Sequence, residues 1–508
     1  MTHDAEQTYK AKSIEIFPRG AAAIAPDLSQ HIQEIGDCII QIRSPSNALV
    51  VDGVIVDYQI PHGTIGISED RLQTLGIKDG DPISVSISPR IRPESYEFIR
   101  KRMEGSELTK DEISAIIRDV VANNLTPLEK TTLVMSHLYD KWTMDEIEWF
   151  TREIAASGEI IDLGEGVFDK HSLGGVPGNK VSILIVPIIA ATGLKIPKTS
   201  SRAITSPSGT ADTMELFAPV KFSADEIREI IKTTKGMIFW GGALNLAPAD
   251  DILIHQVERP LSINPQSMML SSIMAKKVSM GVDFLVLDMP TGKGTKVAAY
   301  DDGLALAREF AELGRRLGIK VESGITFGDL PVGHNIGPAL EAREALRTLE
   351  NPEHGPTSLV EKTTCIAGIL LEMAGRALRG QGQDLAKSIL YSGKALSKFR
   401  EIIEAQGGDP NIQVEDIETG SHTFEWLAPA DGWIVNIDNQ AITKIAKVAG
   451  APRDPKAGIK FLRKKESCRR GEPILRVYSS SDERLEAASD LLSRLHPITI
   501  EGMLLGRL

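Results

Sequence analysis

Short segments in which apolar and polar residues alternate occur throughout the first ninety residues of the chain. Ala48–Val51 and Ile83–Ile87 are examples, and turns containing Gly and Asp separate such segments. Alternation with a period of two is typical of β-strands that bury one face. The prolines Pro89 and Pro93 end the pattern, because closely spaced prolines interrupt regular structure. The pattern predicts a β-rich N-terminal domain over residues 1–90.

Apolar residues then recur every three to four positions, as they do on one face of an amphipathic helix. The first such run has its apolar residues at Ile113, Ile116, Ile117 and Val120. A Thr followed three residues later by a Glu is typical of a helix N-terminus, and it occurs at Thr109 and again at Thr143. The spacing predicts an all-α lobe formed by residues 94–158 and about 249–281.

After the helical region, apolar runs joined by glycine-rich loops alternate with helical segments. Phe284–Leu287 is one such run, and a helical pattern follows from about Leu304 to Leu317. Alternation of strands and helices is typical of an α/β architecture with a mostly parallel sheet. We therefore expect an α/β lobe formed by residues 159–248 and 282–410.

The predicted α/β lobe closes with a long helical pattern near 384–405, which ends at Gly407. Two short strands and a helix near 482–495 follow a polar connector, and they predict a small α/β domain over residues 425–508. The predicted fold class is therefore α/β. It comprises a small N-terminal β-rich domain, an all-α lobe, an α/β lobe with a mostly parallel sheet and a small C-terminal α/β domain.

Charge and length narrow the classes of function. The chain has 508 residues, with 57 Lys and Arg against 69 Asp and Glu, and a formal net charge of −12. This balance argues against a nucleic-acid partner, because nucleic-acid affinity depends on clustered Lys and Arg. A local basic pocket for a single phosphate remains compatible with it. At roughly 150 residues per domain, the length corresponds to about three domains.

The cysteines and the apolar segments indicate the compartment. Cys38, Cys365 and Cys468 are widely separated, which fits neither a disulfide framework nor a zinc cluster and indicates free thiols in a reducing environment. The N-terminus is polar and acidic, unlike a signal peptide. The most apolar stretch, Val181–Leu194, is interrupted by polar residues and is too short to cross a bilayer. We expect a cytoplasmic protein without a membrane partner.

Two glycine-rich loops, Lys170–Lys180 and Thr199–Thr210, carry several hydroxyl and basic residues. Backbone N–H groups in such loops bind phosphate, assisted by hydroxyls and a lysine. Neither loop has the spacing of a Walker A motif or of a dinucleotide-binding fingerprint. Because both loops have the same chemistry and lie close together in the sequence, they predict an anion site.

Two further clusters contain candidate ligand-binding residues. Ser272 and Lys276 are four residues apart and share a face if their segment is helical, although a solvated Ser and Lys is the alternative interpretation. Gly292–Lys296 follows a strand that ends at Asp288, and ligands bind at the carboxyl ends of strands in α/β sheets. No spacing of residues predicts a metal site or a Ser-His-Asp triad.

Together these motifs resemble the thymidine and pyrimidine nucleoside phosphorylases. The resemblance is carried by Lys-His-Ser-x-Gly-Gly at 170–175, Ser-Ser-Arg at 200–202, Gly-Thr-x-Asp at 209–212 and Ser-Ile-Met-x-Lys-Lys at 272–277. It extends in the same order over residues 95–500. With its N-terminal domain, the chain is similar to the long branch of that family, which includes archaeal AMP phosphorylases and bacterial type 2 thymidine phosphorylases.

The resemblance implies a set of site residues. Those implied to bind inorganic phosphate are Lys170, Ser172, Ser182, Ser200 and Thr210. His171 is implied to donate a proton toward the base, and Ser272 and Lys276 to grip the base. In the AMP phosphorylase branch the nucleotide site would be lined by Gly175, Ser201, Arg202, Ala203, Ile204, Thr205, Ser206, Thr210, Ser272 and Lys296. Arg259 is a further candidate for base contact, at a spacing that differs from that of the family's arginine.

One departure bears on the substrate. Asn264 stands where AMP phosphorylase has an aspartate assigned as proton donor, and an amide transfers no proton at ordinary pH although it can hydrogen-bond the base. In addition, Lys170 precedes His171 and Ser172 as it does in the thymidine enzymes. These positions favour a pyrimidine nucleoside, with Asn264 and His171 as the residues nearest the chemistry.

The resemblance therefore implies a pentosyltransferase of the thymidine phosphorylase type in pyrimidine salvage. It would convert thymidine and inorganic phosphate to thymine and 2-deoxy-α-D-ribose 1-phosphate. Inorganic phosphate would be the co-substrate, no metal or organic cofactor would be needed, and the chain would form a homodimer or larger homo-oligomer.

Two alternatives remain open for the function. One is an AMP phosphorylase, which forms adenine and ribose 1,5-bisphosphate. The other is a nucleotide-sensing binding protein built on a phosphorylase scaffold, in which Asn264 replaces a lost acid. The anthranilate phosphoribosyltransferases share the two-lobe arrangement, but their diphosphate–magnesium loop is not found in this sequence.

Overall fold

A computed structural model describes residues 7–14, 21–26, 28, 38–45, 47–51, 53–57, 59–89, 92–203 and 206–502. The chain divides into two compact units. The first comprises Met1–Glu104 and Ala122–Leu133, and the second comprises Gly105–Val121 and Val134–Leu508. The four-domain division drawn from the sequence stays a prediction.

The first unit contains a seven-stranded sheet, in the order β4-β3-β7-β1-β6-β2-β5. Its strands are β1 (Gln7–Ser13), β2 (Ala21–Ile24), β3 (Cys38–Arg43), β4 (Ala48–Val51), β5 (Gly53–Val56), β6 (Thr64–Ile67) and β7 (Pro82–Pro89). Among its described residues, helices α1 (Glu69–Leu75) and α2 (Ser95–Met103) lie wholly within this unit. Ile83 and Val85 are buried while Ser84 between them is partly exposed, which is the period-two pattern of β7. The expected β-rich N-terminal region is confirmed.

The helical lobe expected from the sequence consists of short helices. They are α3 (Lys110–Val121), α4 (Pro127–Tyr139), α5 (Met144–Ala156), α9 (Pro248–Leu253) and α11 (Gln266–Ser279), with the short α10 (Arg259–Leu261) between the last two. The Thr109 backbone N–H donates to the Glu112 carboxylate at 2.7 Å, and Thr143 with Glu146 forms a complete capping box. Helix α11 packs along α5, so two segments distant in sequence form one helical layer.

Parallel strands form the sheet of the α/β lobe. They are β8 (Phe168–Ser172), β9 (Ile196–Ser200), β10 (Gly236–Trp240), β11 (Phe284–Thr291) and β12 (Lys320–Phe327). β11 lies between β8 and β12, β9 pairs with β10, and a bridge between Val167 and Lys195 brings β9 beside β8. The helices of this lobe are α6 (Val181–Ala190), α7 (Thr210–Met214), α8 (Ala224–Thr234), α12 (Tyr300–Leu317), α13 (Pro338–Glu350), α14 (Thr357–Met373), α15 (Gly382–Tyr391) and α16 (Lys394–Ala405). Every residue of α6 is buried, which explains its largely apolar sequence.

The long helix expected near 384–405 is two helices, α15 and α16. Gly393 separates them with a backbone φ of +77°, in the left-handed region that glycine adopts without steric cost. The expectation of a single helix was wrong, because the apolar periodicity continues across this break.

The C-terminal segment contains two small antiparallel sheets. One has the order β13-β16-β18-β14 and the other β17-β15-β19. Their strands are β13 (Asn335–Ile336), β14 (His422–Leu427), β15 (Gly432–Ile437), β16 (Gly458–Phe461), β17 (Ser467–Cys468), β18 (Pro473–Ser479) and β19 (Ile498–Glu501). Helices α17 (Asn439–Val448) and α18 (Asp482–Leu495) complete the segment, and the predicted α/β character is confirmed.

None of the helices in the described part of the chain combines the length and the apolar character that a bilayer crossing requires.

Gln406 provides a test of how the α/β lobe is held together. Its buried amide accepts from the Ile238 N–H at 3.0 Å and donates to the carbonyls of Ile238 and Pro219, both at 2.9 Å. We expect Gln406→Leu to destabilise the protein by about 1–3 kcal/mol, the cost of buried polar groups without partners. Urea unfolding measures the change. The exposed Gln381 is the control, where Leu should shift stability by less than about 0.5 kcal/mol; equal effects at both positions would contradict the assignment.

Candidate functional site

The carboxyl ends of β8, β9 and β11 lie at one edge of the sheet, because these strands are parallel. The two glycine-rich loops and the Gly292–Lys296 segment all begin at this edge. Gly175 has a φ of +91°, and a Cβ atom there would lie 3.0 Å from the Lys296 backbone nitrogen. The first glycine-rich loop therefore lies directly against the Gly292–Lys296 loop, and only glycine fits at their contact.

A buried carboxylate, Asp288, lies under this edge. Its Oδ2 accepts hydrogen bonds from the Ser172 hydroxyl at 2.8 Å and from the Asn179 amide at 3.1 Å. Its Oδ1 accepts from the Thr326 hydroxyl at 2.6 Å. The predicted phosphate residue Ser172 is therefore fixed in orientation by a charged acceptor beneath it.

Two buried lysines balance the charge of Asp288. Lys362 Nζ lies 3.0 Å from Oδ1 and Lys170 Nζ lies 3.8 Å from Oδ2. Burial raises the pKa of Asp288, but Lys362 and Lys170 outweigh it and the pKa falls to about 2. Burial lowers the pKa of Lys170 to about 8 despite the attraction of Asp288. At neutral pH the predicted phosphate ligand Lys170 is thus predominantly a cation.

A second buried carboxylate, Asp169, supports the neighbouring strands. Lys277 Nζ donates to its Oδ2 at 2.6 Å, and Lys198 Nζ lies 3.7 Å from its Oδ1. Lys277 also lies 3.4 Å from the Thr199 hydroxyl. Lys277 belongs to α11. These bonds therefore join the helix that carries Ser272 and Lys276 to strands β8 and β9, from which the two glycine-rich loops begin.

His171 lies among these lysines, between Lys170 and Ser172 in β8. Burial is the first cause that lowers its pKa well below the ordinary value, and the charges of Lys277, Lys198, Lys170 and Lys296 add to it. The imidazole is therefore neutral at physiological pH. It can donate one N–H hydrogen bond to a base, but it holds no imidazolium proton to transfer, so the proton-donor role implied for it remains a prediction that this electrostatic environment disfavours.

The second loop is held by two carboxylates. The Arg202 guanidinium forms a bidentate pair with Glu215, at 2.6 and 2.7 Å. Asp212 Oδ2 accepts from the backbone N–H groups of Ala203 at 2.7 Å and Gly209 at 2.9 Å. The hydrogen bonds that the guanidinium donates to Glu215 are the first cause that raises the pKa of Arg202. In this structure Arg202 thus shapes the loop, with its charge already paired.

The remaining predicted phosphate and nucleotide residues are distributed around the same edge. Ser182 is buried in the first turn of α6, and Thr210 is the first residue of α7. The Ser200 hydroxyl donates to the Ser201 carbonyl at 3.1 Å, and the Ser206 hydroxyl donates to a carbonyl within its own loop at 2.8 Å. Ile204 and Thr205, also predicted to line the nucleotide site, lie outside the described residues.

Asp250 organises the predicted base-binding side chains. Its Oδ2 accepts from the Ser272 hydroxyl at 2.7 Å and from Lys276 Nζ at 2.9 Å. Asp251 adds a weaker ion pair with Lys276, at 3.8 Å. Burial lowers the pKa of Lys276, but Asp250 and Asp251 outweigh it and raise the pKa above the ordinary value. Ser272 and Lys276 therefore share one helix face, as predicted, and are held there together rather than solvated separately.

Arg259 and Asn264 lie apart from that cluster. Arg259 is exposed and its Nη1 lies 3.1 Å from the ring nitrogen of His255. Asn264 is exposed too, and its amide is 3.7 Å from the sulfur of Met269. In the described residues neither side chain hydrogen-bonds to Asp250, Ser272 or Lys276. The roles implied for Arg259 and Asn264 stay predictions.

Sequence reasoning missed the residues beneath the site. These are Asp169, Asn179, Lys198, Asp250, Lys277, Asp288, Thr326 and Lys362. Asn179 and Lys277 lie within or beside the quoted motifs, and Asp288 directly follows the apolar run Phe284–Leu287, so a signal existed for these. The strand end expected at Asp288 was wrong, because β11 continues to Thr291. Thr326 and Lys362 lie in segments without a motif. Among described side chains no group of three or more His, Cys, Asp or Glu is arranged to hold a metal ion.

Comparison with domain families matches three parts of the chain. Residues 96–158 match the helical bundle domain of the glycosyl transferase family, and residues 164–396 match the a/b domain of that family. Residues 433–499 match the pyrimidine nucleoside phosphorylase C-terminal domain. The matched domains define a glycosyltransferase of the phosphorylase type.

Full-length relatives give the same result in more detail. An AMP phosphorylase of Thermococcus sibiricus is 48% identical, with 92% of this chain and 93% of that protein aligned. An AMP phosphorylase of Methanosarcina barkeri is 47% identical over 89% of each chain. The chain belongs to the pyrimidine nucleoside phosphorylase family, in the long branch that includes the AMP phosphorylases.

A solved structure shows the same fold at low identity. Anthranilate phosphoribosyltransferase from Thermus thermophilus superposes with a TM-score of 0.50 and 20% identity, over 61% of this chain and 98% of that chain. The similarity concerns the fold alone.

The relatives overturn the expectation of a thymidine phosphorylase in pyrimidine salvage. Proteins 46–48% identical over about nine tenths of the chain are named AMP phosphorylase. Of the two positions that favoured thymidine, Lys170 is buried beside Asp288, and Asn264 is exposed with its amide 3.7 Å from the sulfur of Met269. The expectation was wrong because two local differences were weighted above the similarity of the whole chain.

Asp288 offers a test of the buried charge network. Asp288→Asn leaves Lys170 and Lys362 without their counter-charge, and we expect a loss of about 3–5 kcal/mol in the free energy of unfolding, the cost of breaking a buried ion pair. Adding Lys362→Met removes one of the two unpaired cations, so the double variant should be more stable than Asp288→Asn alone. Urea unfolding compares the three proteins. A double variant no more stable than the single one would show that Lys362 does not depend on Asp288.

Proposed function

We propose that the protein is an AMP phosphorylase, which converts AMP and inorganic phosphate to adenine and ribose 1,5-bisphosphate. The observation that carries the proposal is the similarity over nine tenths of the chain to proteins named AMP phosphorylase. The proposal needs inorganic phosphate as co-substrate and no organic cofactor or metal. We prefer this proposal to the alternative of a nucleotide-sensing binding protein. That alternative was based on Asn264 alone, which stands in place of the acid of AMP phosphorylase.

The attacking phosphate has a suitable position at the edge of the sheet. Lys170 supplies a cation, Ser172 supplies a hydroxyl oriented by Asp288, and Thr210 begins α7, whose N-terminal N–H groups favour an anion. In the proposed reaction an oxygen of this phosphate attacks C1′ while the bond from C1′ to the base breaks. Charge neutralisation close to the oxocarbenium-like centre then stabilises the transition state.

A second cation can receive the 5′-phosphate of the nucleotide. Lys296 is exposed beside Gly175, and in the described part of the chain its ammonium forms no hydrogen bond or ion pair. Arg202 is less suited, because its guanidinium is paired with Glu215. Part of the Lys296 side chain is exposed, but protein atoms around its ammonium desolvate it and lower the pKa of Lys296, and Glu258 partly offsets this. We therefore infer that Lys296 distinguishes a nucleotide from a nucleoside.

The base would lie against α11. Hydrogen-bonding groups for the base come from two elements. Helix α11 provides Ser272 and Lys276, which Asp250 holds, and strand β8 provides the neutral His171. These groups can orient a planar base without transferring a proton to it. A purine base therefore needs its proton from another group of the site.

A substrate panel tests the proposal. We expect phosphate-dependent release of adenine from AMP at a kcat/KM about 10–150-fold above that for adenosine, because one charge-assisted contact is worth about 1.5–3 kcal/mol. Thymidine should be poorer than AMP. Liquid chromatography of the free bases measures the rates, with reactions lacking phosphate as the control. A higher kcat/KM for thymidine would contradict the proposal, and binding of AMP without any base release would favour a sensor.

The phosphate position is tested at Lys170. We expect Lys170→Ala to raise the KM for phosphate about 10–150-fold. Because the pKa of Lys170 is about 8, its charge is present below that pH and lost above it, so the wild-type KM for phosphate should rise as the pH passes 8. Lys170→Ala should lack this rise.

The matched control is Lys320→Ala, which changes an exposed lysine at the opposite end of a strand in the same sheet. It should leave the KM for phosphate unchanged. An unchanged phosphate KM in Lys170→Ala would refute the assigned position.

A further inference from the structure

The carboxyl group of Glu258 has no part in the site described above. Glu258 is the last residue of a π-helical turn, Ile254–Glu258, which continues directly from α9. Single π-turns inside helices occur frequently at functional sites. The Ile263 N–H donates to the Glu258 carbonyl at 3.0 Å, so the chain that leaves the turn folds back and fixes the backbone of Glu258.

Charged groups from three elements interact electrostatically with this carboxyl. They are Asp250 from α9, Lys276 from α11 and Lys296 from the loop after β11. The first two belong to the proposed base site, and Lys296 belongs to the proposed site of the nucleotide phosphate. Glu258 is therefore within electrostatic reach of residues proposed to hold both ends of an AMP molecule.

The side chain of Glu258 is partly buried but available. No described residue hydrogen-bonds to its carboxyl group, and none forms an ion pair with it within 4 Å. The other carboxylates of the site are engaged: Asp250 by Ser272 and Lys276, and Asp288 by Ser172, Asn179 and Thr326. Glu258 is thus a partly buried carboxyl group whose side chain has no hydrogen-bond or ion-pair partner among the described residues.

Its ionisation suits a proton donor. Burial is the main cause that raises the pKa of Glu258 to about 7, and Asp250 adds to this effect while Lys296 and Lys276 oppose it. About half of the molecules therefore carry a neutral Glu258 at physiological pH, the condition in which a general acid is most effective. His171 has a lowered pKa and Lys276 a raised one, so neither titrates in this range.

We propose that Glu258 is the general acid that protonates the adenine of AMP as it departs. The proposal rests on the AMP phosphorolysis proposed above. The Glu258 carboxyl proton passes to N7 of the base while the C1′–N9 bond breaks and its electron pair goes to the base. An oxygen of the phosphate forms the new bond to C1′. Neutral adenine, ribose 1,5-bisphosphate and a Glu258 carboxylate result, and solvent returns the proton to Glu258.

This assignment accounts for Asn264. A purine leaves readily only when it is protonated, and an amide supplies no proton. Glu258 lies six residues before Asn264 in the chain, at the start of the same connection between α9 and α11. The acid would then come from the π-turn rather than from the exposed position of Asn264.

The test compares two leaving groups in Glu258→Gln. With AMP we expect kcat to fall about 100-fold or more, the usual contribution of general acid catalysis. With 4-nitrophenyl β-D-ribofuranoside 5-phosphate, whose nitrophenolate leaves without a proton, kcat should change only a few-fold. A purely structural role for Glu258 would reduce both activities together. Glu258→Asp, which keeps an acid, should recover part of the AMP activity.

The pH dependence gives a second readout. The acid form acts, so wild-type kcat for AMP should fall as the pH rises through about 7, and Glu258→Gln should lose this dependence. Asp251→Asn tests the alternative that this neighbouring carboxyl is the proton donor, because burial raises the pKa of Asp251 as well.

Three results would overturn the proposal: an AMP kcat retained in Glu258→Gln, an equal loss with both substrates, or a selective loss of AMP activity in Asp251→Asn instead. Failure of the wild-type protein to release adenine from AMP is a different outcome, since it contradicts the proposed function itself.

Discussion

The pairing of buried lysines with two buried carboxylates is the interaction on which the rest of the site depends. Asp288 holds Lys170 and Lys362, and Asp169 holds Lys277 and Lys198. Unpaired ammonium groups in such surroundings are strongly destabilised, because burial removes their hydration. Even with these partners, burial lowers the pKa of Lys170 to about 8 and that of Lys198 to about 7. The carboxyl edge of the sheet therefore carries a cluster of buried lysines, whose positive charge favours an anion.

The same network decides what the neighbouring groups can do. The lysines help to hold His171 neutral, which makes it a hydrogen-bonding group rather than an acid. Lys277 joins α11 to β8 through Asp169. The helix that carries Ser272 and Lys276 is therefore positioned by the same strand that carries Lys170. Arg202 is paired with Glu215, whereas the ammonium of Lys296 has no ion pair with any described residue. In the proposed site, binding of phosphate and binding of the base would be coupled through one set of ion pairs.

The sequence predicted those features that depend on residues close together in the chain. The capping boxes at Thr109 and Thr143 predicted helix N-termini correctly, because their hydrogen bonds join residues three apart. The break at Gly393 was missed, since one glycine does not interrupt the apolar periodicity on either side of it. The pairs Asp288–Lys362 and Asp169–Lys277 were also missed, because they join strands and helices far apart in the sequence and no spacing rule connects them. Similarity over the whole chain overturned the thymidine expectation, which rested on single positions.

Asp250 shows how one buried charge can serve both orientation and acidity. Its Oδ2 holds Ser272 and Lys276 at the proposed base site. Burial is the main cause that raises the pKa of Glu258, and the charge of Asp250 adds to it. The bonds that orient the base-binding residues therefore also fix the position of one of the charges that act on Glu258. The α lobe would then supply the proton and the orientation of the base, while the α/β lobe supplies the cations for the phosphates. Closure of the two lobes on a nucleotide would bring these contributions to opposite sides of one C1′–N9 bond.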